Sequence, residues 1–269
     1  MDESAQGNMQ DDAFDSNGNM TLDFGFFAPV TVGDTAFVDL DNSGTQTMGD
    51  APLEGVTVVL FDPVTGDTIT EDAQGNAITG VTMTLADGSY SFPNLSPGSY
   101  QVFVDISTAN DPEFYEFIAP DQGGDDALDS DAVAITDSTG LSASTAFLPS
   151  GTSDLTLDVG VRCITAVTVA DEAAICSTQQ IVLSVGASIT PATLGGTWST
   201  PDGTGTFDDG TDFATATTYT PSAEDAQRGS VTLVLTTNDP SGPCGEVSAQ
   251  VTFQILKVDC GTFPWNGGN

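Results

Sequence analysis

Short runs in which apolar and polar residues alternate are the main feature of the chain's hydropathy pattern. They occupy residues 56–60, 89–92 and 100–104 in the first half, and residues 181–185, 231–235 and 249–253 in the second. An alternation of period two places the apolar side chains on one face of an extended strand. The pattern therefore predicts half-buried β-strands in both halves, and no long segment follows the helical period.

Turn-forming residues separate these runs. Asp87-Gly88 and Ser96-Pro97-Gly98 are typical of tight connections between strands. A length of 269 residues leaves room for two domains of ordinary size. Together these features predict an all-β chain that folds as two tandem β-sandwich domains.

The N-terminal segment, residues 1–29, partly repeats a later part of the chain. Residues 11–17 resemble residues 125–131, and residues 20–26 resemble residues 154–161. We therefore expect residues 1–29 to be an acidic segment that ends in an orphan strand, with Leu22, Phe24 and Phe26 alternating as an assembly strand. Two alternatives stay open: the segment is the tail of a preceding repeat, or it is a donor strand for a neighbouring subunit.

The charge is strongly negative and unevenly distributed. The net charge is −36, and residues 1–161 hold 28 of the 39 acidic residues without any Lys or Arg. Such a surface repels nucleic acids and anionic membranes, so neither is an expected partner, and no apolar stretch is long enough for a membrane span. The first half must either tolerate its self-repulsion, as a merely soluble acidic surface does, or recruit cations that prefer oxygen ligands.

One segment of the first half has the spacing of a twelve-residue calcium loop. Residues at loop positions 1, 3, 5, 7 and 12 all offer oxygen, and they are Asp39, Asp41, Ser43, Thr45 and Asp50. Gly44 occupies position 6, where the chain needs a positive φ. The sequence therefore predicts a calcium site, and an Asx-rich hairpin turn is the alternative.

The surrounding residues resemble the SdrD B-like repeat of bacterial surface proteins. The resemblance rests on Gly33-Asp34, on residues 54–58, on residues 87–100 and on the closing residues 156–160, and it spans about residues 30–161. It implies a prealbumin-like sandwich that binds several calcium ions and serves as a rigid stalk module. The loop residues at 39–50 would form the first site, and the candidates for a second are Asp125, Asp126, Asp129 and Asp131. Related pilin domains use a Lys–Asn isopeptide bond, which this domain cannot form because it contains no lysine.

Residues 162–269 are expected to form the second sandwich, and about residues 163–260 of it resemble the PKD-like, immunoglobulin-like modules of secreted bacterial proteins. The resemblance rests on residues 196–199, on Cys176 and on Cys244. The four cysteines Cys163, Cys176, Cys244 and Cys260 are even in number and lack C-x-x-C spacing, which favours two disulfides and an oxidising compartment. We expect Cys176–Cys244 to pack against Trp198, with Cys163 and Cys260 tying the ends together, although four cysteines allow three pairings.

These features predict a non-enzymatic, calcium-stabilised module of a bacterial extracellular filament or surface stalk that assembles with like subunits or neighbouring repeats. The residues after Met1 lack the features of a secretory signal, so we expect a mature or excised chain. A ligand-binding adhesin is the alternative, with aromatic candidates at 114–117 and 263–265. An enzyme would have to use a carboxylate pair such as Asp208-Asp209, because the chain contains no histidine and no evident nucleophile with a base.

Overall fold

The computed structural model describes residues 25–135 and 140–257, and most regular structure in this part of the chain is β. The strands of the first half are β1 (Val30–Asp39), β2 (Ala51–Pro52), β3 (Thr57–Phe61), β4 (Val81–Met83), β5 (Ser89–Leu95), β6 (Gln101–Asp105), β7 (Tyr115–Phe117), β8 (Val133–Ala134), β9 (Gly140–Ser144), β10 (Ser153–Asp154) and β11 (Val159–Cys163). Those of the second half are β12 (Ala166–Thr168), β13 (Ala174–Cys176), β14 (Ile181–Val182), β15 (Ser188–Thr190), β16 (Gly196–Ser199), β17 (Thr206–Phe207), β18 (Thr218–Thr220), β19 (Ser230–Thr237) and β20 (Ser248–Leu256). The helical elements are 3₁₀ turns at Ile106–Thr108 and Pro112–Phe114, and the helix α1 (Ala223–Arg228). No helix in the described ranges is long and apolar enough to cross a membrane.

The first sandwich is built from two sheets. In one, the strand order is β10-β1-β11-β7, with β2 and β5 also paired to β1, and in the other it is β4-β3-β6-β9-β8. Strand β1 runs parallel to both β10 and β11. Strands β3 and β6 show the alternating burial that their sequences predict, because every second side chain faces the core.

The second sandwich follows directly. Its sheets have the orders β13-β20-β19-β16 and β14-β18-β17, and β12 pairs with β15. Alternate residues of β19, which include Val231, Leu233 and Leu235, are fully buried beside Trp198 and Tyr219. The expectation of an all-β chain with tandem β-sandwich domains is confirmed.

A buried carboxylate anchors α1 in the second sandwich. Asp225 is fully buried and accepts hydrogen bonds from Tyr219 Oη at 2.9 Å, from the backbone of Ser222 and Thr204 at 2.9 Å, and from Arg228 at 2.6 Å. Burial alone would raise the pKa of Asp225, but these donors outweigh it and hold that pKa well below the ordinary range. The charge is therefore compensated, in contrast to the first sandwich described below.

The two sandwiches meet around the short strand β7. Phe114 belongs to the first half of the chain, yet it is buried in the core of the second sandwich. Tyr115 and Cys163 pack against both cores, and the backbone N–H of Ile164 donates to the carbonyl of Phe114 at 2.9 Å. Phe117, which the adhesin alternative also counts as an exposed aromatic, packs against the first core.

The predicted pairing of Cys176 with Cys244 is wrong, because the structure pairs Cys163 with Cys244 at a Cα–Cα distance of 5.7 Å. Cys176 lies opposite Leu256 at the end of β20, whereas Cys244 precedes the start of that nine-residue strand. A strand of this length spans about 30 Å, and a disulfide requires Cα atoms within about 7 Å. The predicted tie between Cys163 and Cys260 is therefore wrong as well; Cys176 is itself disulfide-bonded, and Cys260 lies outside the described residues.

The predicted assembly strand is only partly described. Leu22 and Phe24 lie outside the described residues, as do the aromatic residues 263–265. Phe26 is 94% exposed, and its counterpart in the internal repeat, Val161, is fully buried at the centre of the first sandwich. The side chain that the repeat pattern marks as a core residue is thus exposed within the described part of the chain.

Candidate metal centre

The predicted calcium loop begins where β1 ends. Asp39 is the last residue of β1, is only 2% exposed and pairs in register with Arg162 of β11. Its carboxylate accepts hydrogen bonds from the backbone N–H groups of Ser43 at 3.2 Å and Gly44 at 2.8 Å. Gly44 has a φ of +80°, so the expected positive-φ bend is confirmed. The turn therefore closes around the Asp39 carboxylate.

Two further carboxylates of the loop converge on Asp39. Asp39, Asp41 and Asp50 each place an oxygen within 4.8 Å of the others. Asp50 is oriented by the backbone N–H of Thr47 at 2.6 Å, and Asp41 by the backbone N–H of Ser43 at 3.0 Å. Hydrogen bonds from Ser43 lower the pKa of Asp41, so this group is ionised at neutral pH.

The other two predicted ligands of the loop are Ser43 and Thr45. The Ser43 hydroxyl donates to the backbone carbonyl of Thr45 at 2.9 Å, so the two oxygens lie close together. By sequence they occupy positions 5 and 7 of the calcium-loop pattern, where a side-chain oxygen and a backbone carbonyl are needed. Their role as ligands stays a prediction.

A second group of carboxylates differs from the predicted set. Asp121, Asp129 and Asp131 bring oxygens within 4.8 Å of one another, whereas the other two expected ligands, Asp125 and Asp126, do not belong to this group. Asp129 is 4% exposed, and its Oδ2 accepts a hydrogen bond from the backbone of Gly123 at 2.8 Å. Its Oδ1 is buried and has no hydrogen-bond partner in the described part of the chain.

The two acidic groups are held side by side. Thr45 forms an isolated β-bridge with Asp129, and the backbone N–H of Gln46 donates to the carbonyl of Leu128 at 2.5 Å. Gly44 approaches the other loop so closely that an added Cβ would lie 2.8 Å from Gln122. The loops at 39–50 and 121–131 therefore form one acidic end of the first sandwich.

Asp158 is a member of this region that the sequence reasoning did not select. It is fully buried, and within the described residues neither carboxylate oxygen has a well-formed hydrogen bond; the backbone N–H of Thr35 is a nearby but poorly placed donor. Its backbone is tied to Asp131: the N–H of Asp158 donates to the Asp131 carboxylate at 2.8 Å, and the N–H of Asp131 donates to the carbonyl of Asp158 at 2.9 Å. The sequence does carry a signal, because Asp158 stands between Leu157 and Val159 in a segment that enters the sheet.

The electrostatics of these buried acids are unfavourable to negative charge. Burial, together with the nearby carboxylates of Asp34 and Asp131, raises the pKa of Asp158 to about 8, against a smaller lowering effect from the backbone N–H of Thr35. Burial also raises the pKa of Asp131 to about 7, although the N–H of Asp158 opposes this. The ion pair nearest the region joins Arg162 and Glu116 at 2.7 Å, and both side chains are about half-exposed. The Arg162 guanidinium is thus paired with Glu116 and not with one of the buried carboxylates.

The donor set fits a hard divalent cation. A buried carboxylate without a partner is costly unless it is protonated or neutralised by a cation. Both acidic groups offer only oxygen, which suits Ca²⁺ or Mg²⁺ rather than metals that prefer nitrogen or sulfur. These acidic clusters could therefore hold metal ions.

Comparison with known proteins gives a family match for half of the chain. Residues 30–161 match the family model described as the SdrD B-like domain. The serine-aspartate repeat-containing protein F of Staphylococcus epidermidis is 30% identical over 167 residues, which cover 58% of this chain and 9% of that protein. The serine-aspartate repeat-containing protein D of Staphylococcus aureus strain Newman is 30% identical over 130 residues, which cover 48% of this chain and 8% of that protein. The chain thus spans less than a tenth of these relatives.

Likeness to solved structures is weaker. A structure of the streptococcal ancillary pilin matches 86% of this chain and 61% of its own, with 11% sequence identity and a TM-score of 0.30.

Proposed function

Residues 30–161 of this chain form an SdrD B-like domain, and from this premise we propose that the chain is a non-enzymatic, calcium-stabilised structural module of a bacterial extracellular filament or surface stalk. The observation that carries the calcium part is that buried carboxylate oxygens of Asp129 and Asp158 lack well-formed hydrogen bonds among the described residues. The first 161 residues contain no lysine or arginine, and the side chain of Arg162, which follows them in β11, is paired with Glu116. A bound cation removes this penalty, which makes it part of the stability of the fold.

Calcium fits the site better than other common cations. It takes six to eight oxygen ligands in flexible geometry, whereas magnesium demands a near-ideal octahedron and keeps several waters. Zinc prefers histidine and thiolate ligands, and the chain has no histidine. A rim of many carboxylates on two adjacent loops matches the calcium pattern.

The residues that would hold calcium divide into two sets. Asp39, Asp41 and Asp50 would supply the first set, with Ser43 and Thr45 completing it as the loop pattern predicts. In the second set, the grouped carboxylates are Asp121, Asp129 and Asp131. When bound, the ions would supply positive charge that cross-links the loop at 39–50 to the loop at 121–131.

A structural role is favoured over catalysis by what the candidate acids contact. The carboxylate of Asp208, which an enzyme would need, accepts hydrogen bonds from the hydroxyl groups of Thr218 and Thr220 and from the amide of Gln180. These hydrogen bonds hold the Asp208 carboxylate against neighbouring segments of the second sandwich, which is a structural role. The aromatic residues at 114–117 pack at or near the junction of the two sandwiches, which favours a stalk over an adhesin that uses them for ligands.

Assembly with like subunits or neighbouring repeats is the second part of the proposal. Its support is Phe26, a nearly fully exposed aromatic residue in the described part of a segment with strand-like alternation. Burying it against another copy or repeat would cover that surface. Deleting residues 1–27 tests this: loss of end-to-end polymers supports strand donation, and unchanged polymers or a monodisperse full chain in calcium refute it.

An extracellular or cell-surface location completes the proposal. The disulfides of Cys163 and Cys176 support an oxidising compartment. The excess of acidic residues argues against partners that are nucleic acids or anionic membranes.

Chelation of calcium is the experiment that tests the stabilising role. A ligand that binds only the folded state, at 100 times its Kd, stabilises it by about 2.7 kcal/mol, so EDTA should lower the melting temperature of the first sandwich. The Asp39→Ala and Asp41→Ala variants should melt between the calcium-bound and the chelated wild type, because they keep the second group of carboxylates, and they should respond less to calcium. Thr45→Ala, which keeps the backbone carbonyl, should behave like the wild type. An unchanged melting temperature in EDTA and in both Asp variants would show that calcium has no stabilising role.

A further inference from the structure

The disulfide Cys163–Cys244 joins the two sandwiches rather than the sheets of one. Cys163 is the last residue of β11, the closing strand of the first sandwich, where it pairs in register with Tyr115 of β7. Cys244 is buried in the core of the second sandwich, shortly before its last described strand, β20. The bridge therefore connects the exit of one domain to the final strand of the next.

The junction around this bridge is closely packed. Phe114 lies in the second core, although its chain neighbours belong to the first sandwich. Gly242, two residues before Cys244, has a φ of +87° and comes so close that an added Cβ would lie 3.2 Å from the Tyr115 hydroxyl. The loop that carries Cys244 is thus seated on β7, and the bridge lies within this contact.

The connectivity determines how a pulling force would travel. The bridge spans a sequence separation of 81 residues, which includes strands β12 to β19. Along the backbone, force from Cys163 would have to pass through all of these strands. The covalent bridge offers a direct path from β11 to the segment that leads into β20.

We propose that Cys163–Cys244 is a mechanical clamp between the domains: tension on the two ends of the chain passes from β11 through the bridge to β20, and because the second bridge at Cys176 acts alongside it, residues 177–243 stay outside the load path. This part of the second sandwich then does not unravel under tension, because a covalent bond does not yield at forces that break hydrogen bonds. The biological use of the clamp rests on the proposed structural role, whereas the load path itself does not.

Single-molecule stretching of the full chain, held through handle proteins fused to both ends, tests this inference. Replacing Cys176 and Cys260 with serine leaves Cys163–Cys244 as the sole possible native bridge. The matched variant adds Cys163→Ala and Cys244→Ala. Opening the clamp should lengthen the fully stretched chain by about 280 Å, since the loop spans 81 residues at roughly 3.5 Å each. Equal stretched lengths in the two variants would overturn the proposal.

A second measurement covers the case in which the variant without the bridge does not fold. The variant that keeps Cys163–Cys244 is stretched, held, and then exposed to dithiothreitol. The same molecule should lengthen by about 280 Å in one step when the bridge is reduced. Absence of that step in reduced molecules would contradict the load path. Repeating the measurement in EDTA separates the calcium proposal from the clamp proposal. Chelation should lower the unfolding force of the first sandwich, but it should not change the extension that is gained when Cys163–Cys244 is reduced.

Discussion

Replacing Asp158 with asparagine should stabilise the chelated protein, although it removes a residue from the centre of the first sandwich. Asparagine has nearly the same shape and carries no charge. The folded carboxyl group has a pKa of about 8, compared with 3.8 when it is unperturbed. Between these values the folded state binds more protons than the unfolded state, so the stability of the chelated wild type should fall as the pH rises from about 4 to about 8.

The size of the effect follows from this shift. Four pKa units at about 1.36 kcal/mol each give a ceiling of about 5 kcal/mol. Asp131, whose pKa is also raised by burial, titrates together with Asp158, so part of this free energy belongs to Asp131. We therefore expect Asp158→Asn to stabilise the chelated protein by about 3 kcal/mol at pH 8. At pH 4 both side chains are largely neutral in the folded state, and the two proteins should be about equally stable.

Urea denaturation in EDTA at several pH values measures this difference. Backbone circular dichroism follows both sandwiches, and tryptophan fluorescence follows the second, because Trp198 and Trp265 both lie in the second half of the chain. Asp67→Asn removes the same charge from an exposed turn and should change the stability by less than about 0.5 kcal/mol. In calcium the order should reverse, with the wild type gaining more than Asp158→Asn. If Asp158→Asn is no more stable than the wild type at pH 8 in EDTA, Asp158 is not a buried charge that lacks a partner.

Two further predictions concern the second sandwich and its junction with the first. Tyr219→Phe removes the hydroxyl that donates to buried Asp225, and it should cost about 1–3 kcal/mol in urea unfolding followed by tryptophan fluorescence; an unchanged midpoint would mean that this hydrogen bond contributes little. Phe114→Ala should destabilise the second sandwich by about 3–5 kcal/mol, because it leaves a cavity in that core, whereas Phe61→Ala in the first sandwich should leave the fluorescence transition in place; equal effects of the two would contradict the junction packing.

Features that depend on local spacing could be predicted from the sequence. The alternation in residues 56–60 and 231–235 gave strands close to β3 and β19, because burial on one face of a strand follows directly from period two. The grouping of the three loop carboxylates and the positive φ of Gly44 could be predicted for the same reason: residues 39, 41, 44 and 50 belong to one continuous segment.

Features that depend on distant segments could not be predicted in the same way. Asp158 approaches Asp131 and Asp34 only because β11 pairs in parallel with β1 and because the segment before β8 folds across them. The cysteine pairing depended on the register of β13 against β20, which places Cys176 at the far end of that strand from Cys244. Nothing in the spacing of the cysteines encodes that register.

Isothermal titration calorimetry of the purified, metal-free chain with calcium tests the central claim that the acidic end of the first sandwich is a calcium centre. The two carboxylate groups predict that at least two ions bind per chain. The double variant Asp39→Ala with Asp41→Ala should lose binding at the loop and keep binding at the group around Asp129. A titration that shows no binding at millimolar calcium, or identical binding by the wild type and the double variant, would contradict the account.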